Sequence, residues 1–316
     1  WMAALAPRAW LLRLAVPLFL GGVVLLVAVA LFGDVAKGAR RWLNLGIMRI
    51  QPSEVLKIAA PLMLAWYFQR REGVMRWFDF ALAALLLFIP VWLIGRQPDL
   101  GTALLVLASG GFVIFLAGIS WKILASVLFA VAASAPLLWT SMHDYQRQRV
   151  LTLLDPASDP LGKGFHIIQS TIAIGSGGIW GKGWMEGTQT RLEFVPERTT
   201  DFILAVYSEE FGLVGNAVLL ALYLVVVMRA LSIAARGLTL FDRLLAGSLA
   251  LVFFVYAFVN IGMVSGVLPV VGVPLPFMSY GGTAMVTLGL GLGVLMGIAR
   301  ARAHPEDAIQ RMNRLT

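Results

Sequence analysis

Eight runs of apolar residues, each near the length of a bilayer crossing, leave this chain few ways to fold. A crossing helix needs about 20 apolar residues, with a range of roughly 17–25, and in lipid only helices or closed barrels satisfy every backbone group. The runs lie near 12–33, 51–69, 79–95, 100–118, 121–140, 201–229, 244–266 and 281–299. The fold class therefore reads as all-α, a polytopic membrane protein with about eight transmembrane helices and one large loop between the fifth and the sixth. Hydrophobic residues make up 59% of the 316 and charged residues only 13%, which excludes an ordinary soluble domain. There is no cysteine, and His143, His166 and His304 are too scattered to suggest a zinc site.

The net charge of +8 sits mostly beside the apolar runs and forms no patch interleaved with aromatics, so nucleic acid is not an expected partner. Alternating the spans puts Arg8, Arg13, Arg70, Arg71, Arg76, Lys122, Arg229, Arg236, Arg243, Arg300 and Arg302 on one face, which the positive-inside rule makes the cytoplasm. Both ends are then cytoplasmic, and residues 143–200 form a large extracytoplasmic loop. The chain opens on Trp1, and its first run is too long for a cleaved signal peptide. The expectation is one membrane domain over 1–316, truncated at its N-terminus.

Lys37, Arg40, Arg41 and Arg49 break the charge rule, for they fall in a short outer loop. Such a cluster points to an anion held against it, or to headgroup anchoring. Directly after it, Pro52 suits the first turn of a helix, and Glu54 and Lys57 face each other three residues apart. This pair reads equally as a site or as a structural ion pair near the outer end of a span. Asp99, in the turn Gln97 to Thr102, reads as a helix cap or an outer carboxylate. In the last run Gly289, Gly293 and Gly297 allow another helix to approach closely. Before it, Pro269 to Gly282, including Ser279, is too rich in proline and glycine for a regular helix, so it is expected to fold back over a polar cavity.

The large loop is dense in glycine, yet a phosphate-binding P-loop fails: position 176 is serine and Gly183 follows Lys182. What remains is a series of tight turns whose N–H groups, with Lys182 beside them, could hold an anion. Residues 165–174 read as a short amphipathic helix at the membrane surface. Asp201 follows two threonines and opens the next span, so it reads either as part of a helix cap or as a carboxylate set where water meets lipid.

Several stretches taken together resemble one family. They are Gly38 to Trp42, Gln51 to Glu54 with Lys57, Gln97 to Thr102, Ala173 to Gly178 with Gly181 to Gly183, Thr200 to Phe202 with Glu209 and Glu210, and Pro274 to Gly282. In order and wording they resemble the SEDS family (shape, elongation, division and sporulation); Tyr145 to Arg149 and Asp159 to Gly162 are more similar to its elongation branch than to its division branch. The resemblance implies a peptidoglycan glycosyltransferase that polymerises lipid II at the outer face of the cytoplasmic (inner) membrane and releases undecaprenyl pyrophosphate. It implies two more spans than the runs counted here, Asp201 as the essential acid, and Glu54 with Lys57 as the family's charged pair. Lys37, Arg40, Arg41, Glu54, Lys57, Lys182 and Ser279 are the expected substrate-binding residues, and Asp201 the expected general base. Thr199 stands where the family more often has histidine, so no role of that histidine carries over. No metal site is expected, although a divalent cation such as magnesium or manganese could share the pyrophosphate charge. Implied partners are a class B penicillin-binding transpeptidase and other membrane proteins of the elongation complex. The alternative reading is a lipid II transporter, since a charged pair and broken helices also suit transport.

Overall fold

The structure, a computed structural model, describes residues 2–36, 39–44, 49–142, 144–159, 162–192, 194 and 197–303. In chain order these form α1 (Met2–Leu5), α2 (Arg8–Phe32), β1 (Asp34–Ala36), β2 (Ala39–Asn44), β3 (Arg49–Ile50), α3 (Pro52–Arg70), α4 (Trp77–Arg96), α5 (Leu100–Leu116), α6 (Trp121–Ala133) and α7 (Ala135–Ser141). There follow α8 (Asp144–Leu154), a 3-10 turn (Pro156–Ser158), α9 (Lys163–Ser176), α10 (Thr188–Arg191), α11 (Ile203–Ala235), α12 (Leu240–Val264) and α13 (Gly282–Ala303). Each of the eight apolar runs is helical, and among the described residues α2, α4, α11, α12 and α13 are long and apolar enough by themselves to cross a membrane. This is an all-α polytopic membrane protein.

Three local departures from the sequence reading have physical causes. Among the described residues after α2, β1, β2 and β3 pair antiparallel in that order, a pairing the sequence did not suggest, which satisfies backbone groups that a loose loop would leave to water. The fifth run is two helices, because Pro136 cannot donate a backbone hydrogen bond to the turn before it and so starts α7 afresh. The large loop is mostly helical. Within it, Arg147 of α8 donates through Nε to the Trp139 carbonyl (2.9 Å) and through Nη2 to that of Thr140 (2.6 Å), closing the last turn of α7. The amphipathic segment is α9, slightly longer than expected.

Two compact units divide the chain: 1–118 with 226–255 and 282–316, and 119–225 with 256–281. In the first, small residues let helices approach. An added Cβ at Gly22 of α2 would come within 2.9 Å of the Leu56 side chain of α3. The expected close approach at the glycine face of α13 is made by α1, where a Cβ on Gly293 would meet that of Ala3 at 2.7 Å. Polar links join several helix ends. Gln69 Oε1 accepts from the Phe241 N–H (2.8 Å) at the start of α12, Arg8 lies 3.5 Å from Asp242, and Arg71 lies 3.3 Å from Asp79. Arg8, Arg71 and Arg243, assigned by charge to one face, therefore lie at helix ends that meet, since Arg243 also pairs with Glu72 at 3.8 Å.

The second unit packs around Ala173 of α9, Phe202 just before α11, Leu204, Ala205 and Leu219 on α11, Met263 and Val264 at the end of α12, and Leu275. Ser170 of α9 donates to the Val264 carbonyl (2.9 Å), so the loop helix is bonded to the end of a span as well as packed on it.

Candidate functional site

Asp201, partly exposed, lies in a tight turn just before α11. Its neighbour Phe202 is 1% exposed and anchors that turn in the core. The segment 269–281, rich in proline and glycine, runs beside the turn without regular helix or strand and makes a tight turn of its own at 275–279, where Ser279 N–H donates to the Leu275 carbonyl (3.1 Å). Tyr280 N–H donates to the Thr199 carbonyl (2.8 Å), and the Ser279 hydroxyl to that of Thr200 (2.6 Å) while accepting from Leu275 N–H (2.7 Å). Gly272 has φ +76 and lies where a Cβ would come 3.4 Å from Asp201 Oδ2, so glycine both permits this backbone turn and leaves space beside the carboxylate. The expectation that the segment folds back thus acquires a concrete partner, the turn that carries Asp201.

Below Asp201, α11 is broken. Gly212 has φ 64 and ψ −159, far from helical values, and divides the helix into 203–211 and 213–235. A break exposes the carbonyls that end one half and the N–H groups that begin the other. The glycine-rich turns of 177–183 fill both needs: Lys182 N–H and Gly183 N–H donate to the carbonyls of Glu209 and Glu210 (both 3.0 Å), and Leu213 N–H and Val214 N–H donate to those of Gly178 (2.9 Å) and Ile179 (3.1 Å). Only glycine fits at 181, with φ +79, because a side chain there would run into the backbone of Glu210 and Phe211. The N–H groups that sequence reasoning offered to an anion are in part used on this break.

Glu209 seals the arrangement. It is 0% exposed and accepts from Lys182 Nζ (2.7 Å), Gln189 N–H (3.0 Å), Thr188 Oγ1 (3.2 Å) and Ser176 Oγ (3.4 Å). Four places in the loop are thereby tied to the short helix half that follows Asp201. Lys182 also donates to Thr188 Oγ1 (2.7 Å), so the structure places this expected substrate residue in an internal network.

The remaining expected residues belong to the first unit. Arg41, on β2, donates through Nε to the Gln97 carbonyl (3.3 Å) and through Nη2 to that of Pro98 (2.5 Å), with Asp99 at 4.0 Å. Asp99 does cap α5, accepting from Thr102 N–H (3.2 Å), and it also accepts from Gln51 (3.1 Å) at the start of α3. Hence Arg41, Gln51 and Asp99 fasten the small sheet to two helix starts. Lys57 Nζ lies 2.5 Å from Glu54 Oε1, with side chains 4% and 12% exposed, and Thr287 of α13 donates to the other Glu54 oxygen at 3.2 Å. Lys37 lies outside the described residues, and of Arg40 only the backbone is described. Among the described residues no group of three or more His, Asp or Glu is gathered to hold a metal ion.

Two participants escaped the sequence reading, Thr287 and Asn260, and Gln97, read there only as part of a turn, supplies its carbonyl to Arg41. Asn260 had a signal, being a single amide in the otherwise apolar run from Leu249 to Val264.

Residues 1–304 match the family of FtsW, RodA and SpoVE, described as cell cycle proteins. The chain belongs to this family. The peptidoglycan glycosyltransferase MrdB of Escherichia coli (strain K12) is 57% identical to it over 301 residues, which are 94% of this chain and 80% of that protein. Among solved structures, a chain from a peptidoglycan synthase complex that coordinates polymerization and crosslinking matches with a TM-score of 0.82 at 38% identity, covering 96% of this chain and 85% of that one. Rod shape determining protein RodA of Thermus thermophilus matches with a TM-score of 0.70 at 32% identity, covering 95% and 82%. Membership in the FtsW/RodA/SpoVE family, and likeness to its RodA members, agree with the motif resemblance.

Proposed function

We propose that this chain polymerises lipid II into glycan strands at the outer face of the cytoplasmic membrane during cell elongation, releasing undecaprenyl pyrophosphate, with Asp201 as general base. It is a peptidoglycan glycosyltransferase of the SEDS family; the observation that carries this is 57% identity over 94% of the chain to an enzyme of that activity. In the reaction an acceptor sugar hydroxyl attacks the anomeric carbon of the donor. Its proton passes to the Asp201 carboxylate as the new C–O bond forms. The bond from the anomeric carbon to the pyrophosphate oxygen breaks, and the lipid pyrophosphate leaves with the electron pair.

Charge growing on that leaving group is stabilised by cations, the role we give to Lys37, Arg40 and Arg41, with Glu54 and Lys57 shaping the same donor site. The orientation of Arg41 is supported by its two carbonyl partners. Lys182 and Ser279 enter through the scaffold, since both already bond to the helix or turn that carries Asp201. No resident metal is required; a divalent cation could accompany the pyrophosphate. The partner we propose is a class B penicillin-binding transpeptidase, beside other elongation proteins of the same membrane, supported by likeness to a chain of a synthase complex. Exposed Leu213, Val218 and Leu222 on α11 are apolar side chains that such a partner could cover.

A broken helix would favour transport if its open ends pointed at a substrate. Here the glycine-rich turns occupy those ends, which supports the enzyme instead. Purified protein in vesicles with lipid II separates the readings: glycan growth is expected, whereas flipping without growth would establish a transporter, and neither would leave a scaffold.

A further inference from the structure

Thr199, Thr200 and Asp201, which precede Phe202 and α11, each have their carbonyl held from outside the helix. Tyr280 N–H holds Thr199, Ser279 Oγ holds Thr200, and Asn260 Nδ2 holds Asp201 at 2.9 Å. Asn260 Nδ2 gives its other proton to the Val273 carbonyl (2.8 Å), and Val273 follows Gly272, the residue beside the Asp201 carboxylate. A single amide thus bridges the backbone that bears the carboxylate and the backbone that faces it. Both partners are carbonyls, which fixes the NH2 toward them and turns Oδ1 away. Asn260 is 0% exposed, and Oδ1 has no hydrogen-bond partner among the described residues. The amide thus ties two backbone segments together while one buried acceptor stays unpaired.

We propose that Asn260, assisted by Ser279, is a positioning residue for glycan polymerisation. Its amide sets how the turn bearing Asp201 lies against the Gly272–Val273 backbone, and so the direction from which the carboxylate meets the acceptor hydroxyl. The proposal rests on the reading of Asp201 as the base. Misplacing a catalytic group by about 1 Å can cost on the order of a hundredfold in rate, whereas contacts to lipid II made elsewhere are untouched. The effect therefore belongs to kcat and not to KM.

The test is a double-mutant cycle on the purified full chain, with glycan growth from lipid II followed at several substrate concentrations. Asn260→Leu keeps the volume and removes both donors. Alone it should lower kcat by about ten- to a hundredfold with KM nearly unchanged, and it should also lower the thermal midpoint, because the Asp201 and Val273 carbonyls lose their donor. Added to Asp201→Asn it should change the residual rate by no more than about twofold, because the group it aims is already gone. A merely structural role would reduce both backgrounds by the same factor, and that result overturns the proposal, as does an unchanged kcat. Should Asn260→Leu fail to fold, Ser279→Ala decides by the same criteria: a fall in kcat supports positioning, and a rise in KM alone makes Ser279 a substrate contact and overturns it. Near-parental activity of Asp201→Asn would remove the base reading itself, an outcome distinct from an active-site base that Asn260 does not aim.

Discussion

Replacing Gly181 by alanine tests whether the glycine-rich turns hold the broken helix together. Gly178 and Gly181 both have left-handed backbones, with φ +56 and φ +79, so alanine at either costs about 1–2 kcal/mol for conformation alone. They differ in what surrounds them. Nothing lies within 4 Å of a Cβ on Gly178, whereas at Gly181 it would overlap the Glu210 carbonyl and the Phe211 backbone, neither of which can swing aside. The turn must then retreat, stretching the bonds from Lys182 N–H and Gly183 N–H to the carbonyls of Glu209 and Glu210. Two such bonds contribute about 0.5–1.5 kcal/mol each, so Gly181→Ala should lose about 2–5 kcal/mol against about 1–2 kcal/mol for Gly178→Ala. The assay is the thermal unfolding midpoint of both variants in one detergent and lipid mixture. Equal midpoints would refute the view that the turns serve the break.

Arg41→Lys keeps the charge but cannot hold the Gln97 and Pro98 carbonyls together, so the initial rate of glycan growth should fall by about tenfold, the scale of one charged hydrogen bond; full activity in both Arg41→Lys and Arg41→Ala would contradict this. Glu54→Gln deprives the buried Lys57 ammonium of its carboxylate at 2.5 Å, and the folded fraction on size exclusion should drop in line with a loss of about 3–5 kcal/mol. Photo-crosslinkers placed along 210–228 and 246–262 should capture the transpeptidase in cells, and a uniformly unreactive surface would remove that docking proposal.

The placement of the apolar helices was legible because lipid demands long apolar runs, and each of the eight runs became helix, although the loop helices other than α9 and the split of the fifth run were not read from the sequence. Breaks were less so. Pro136 announces its break in the sequence, but Gly212 does not: it is one glycine among many, and only the loop packed against it explains a non-helical backbone there. Likewise the spacing of Glu54 and Lys57 showed that pair, since helical neighbours are set locally, whereas Thr287 reaches Glu54 from 233 positions away. Lys182 illustrates the converse. Its place among glycines suggested an anion site, yet its partner is Glu209, a carboxylate that the sequence shows only as one of two acids in a span. Asn260 could have been flagged as a lone amide in lipid, but its two carbonyl acceptors are fixed by tertiary structure alone.

The most direct measurement is glycan chain growth from lipid II by purified, folded Asp201→Asn. Asparagine keeps the size and much of the capping capacity of aspartate while removing the base. The account predicts that the variant inserts, folds and binds lipid II, and that polymerisation falls by about a hundredfold or more, the scale of a lost general base. Near-parental growth would make Asp201 a structural residue and contradict the central claim.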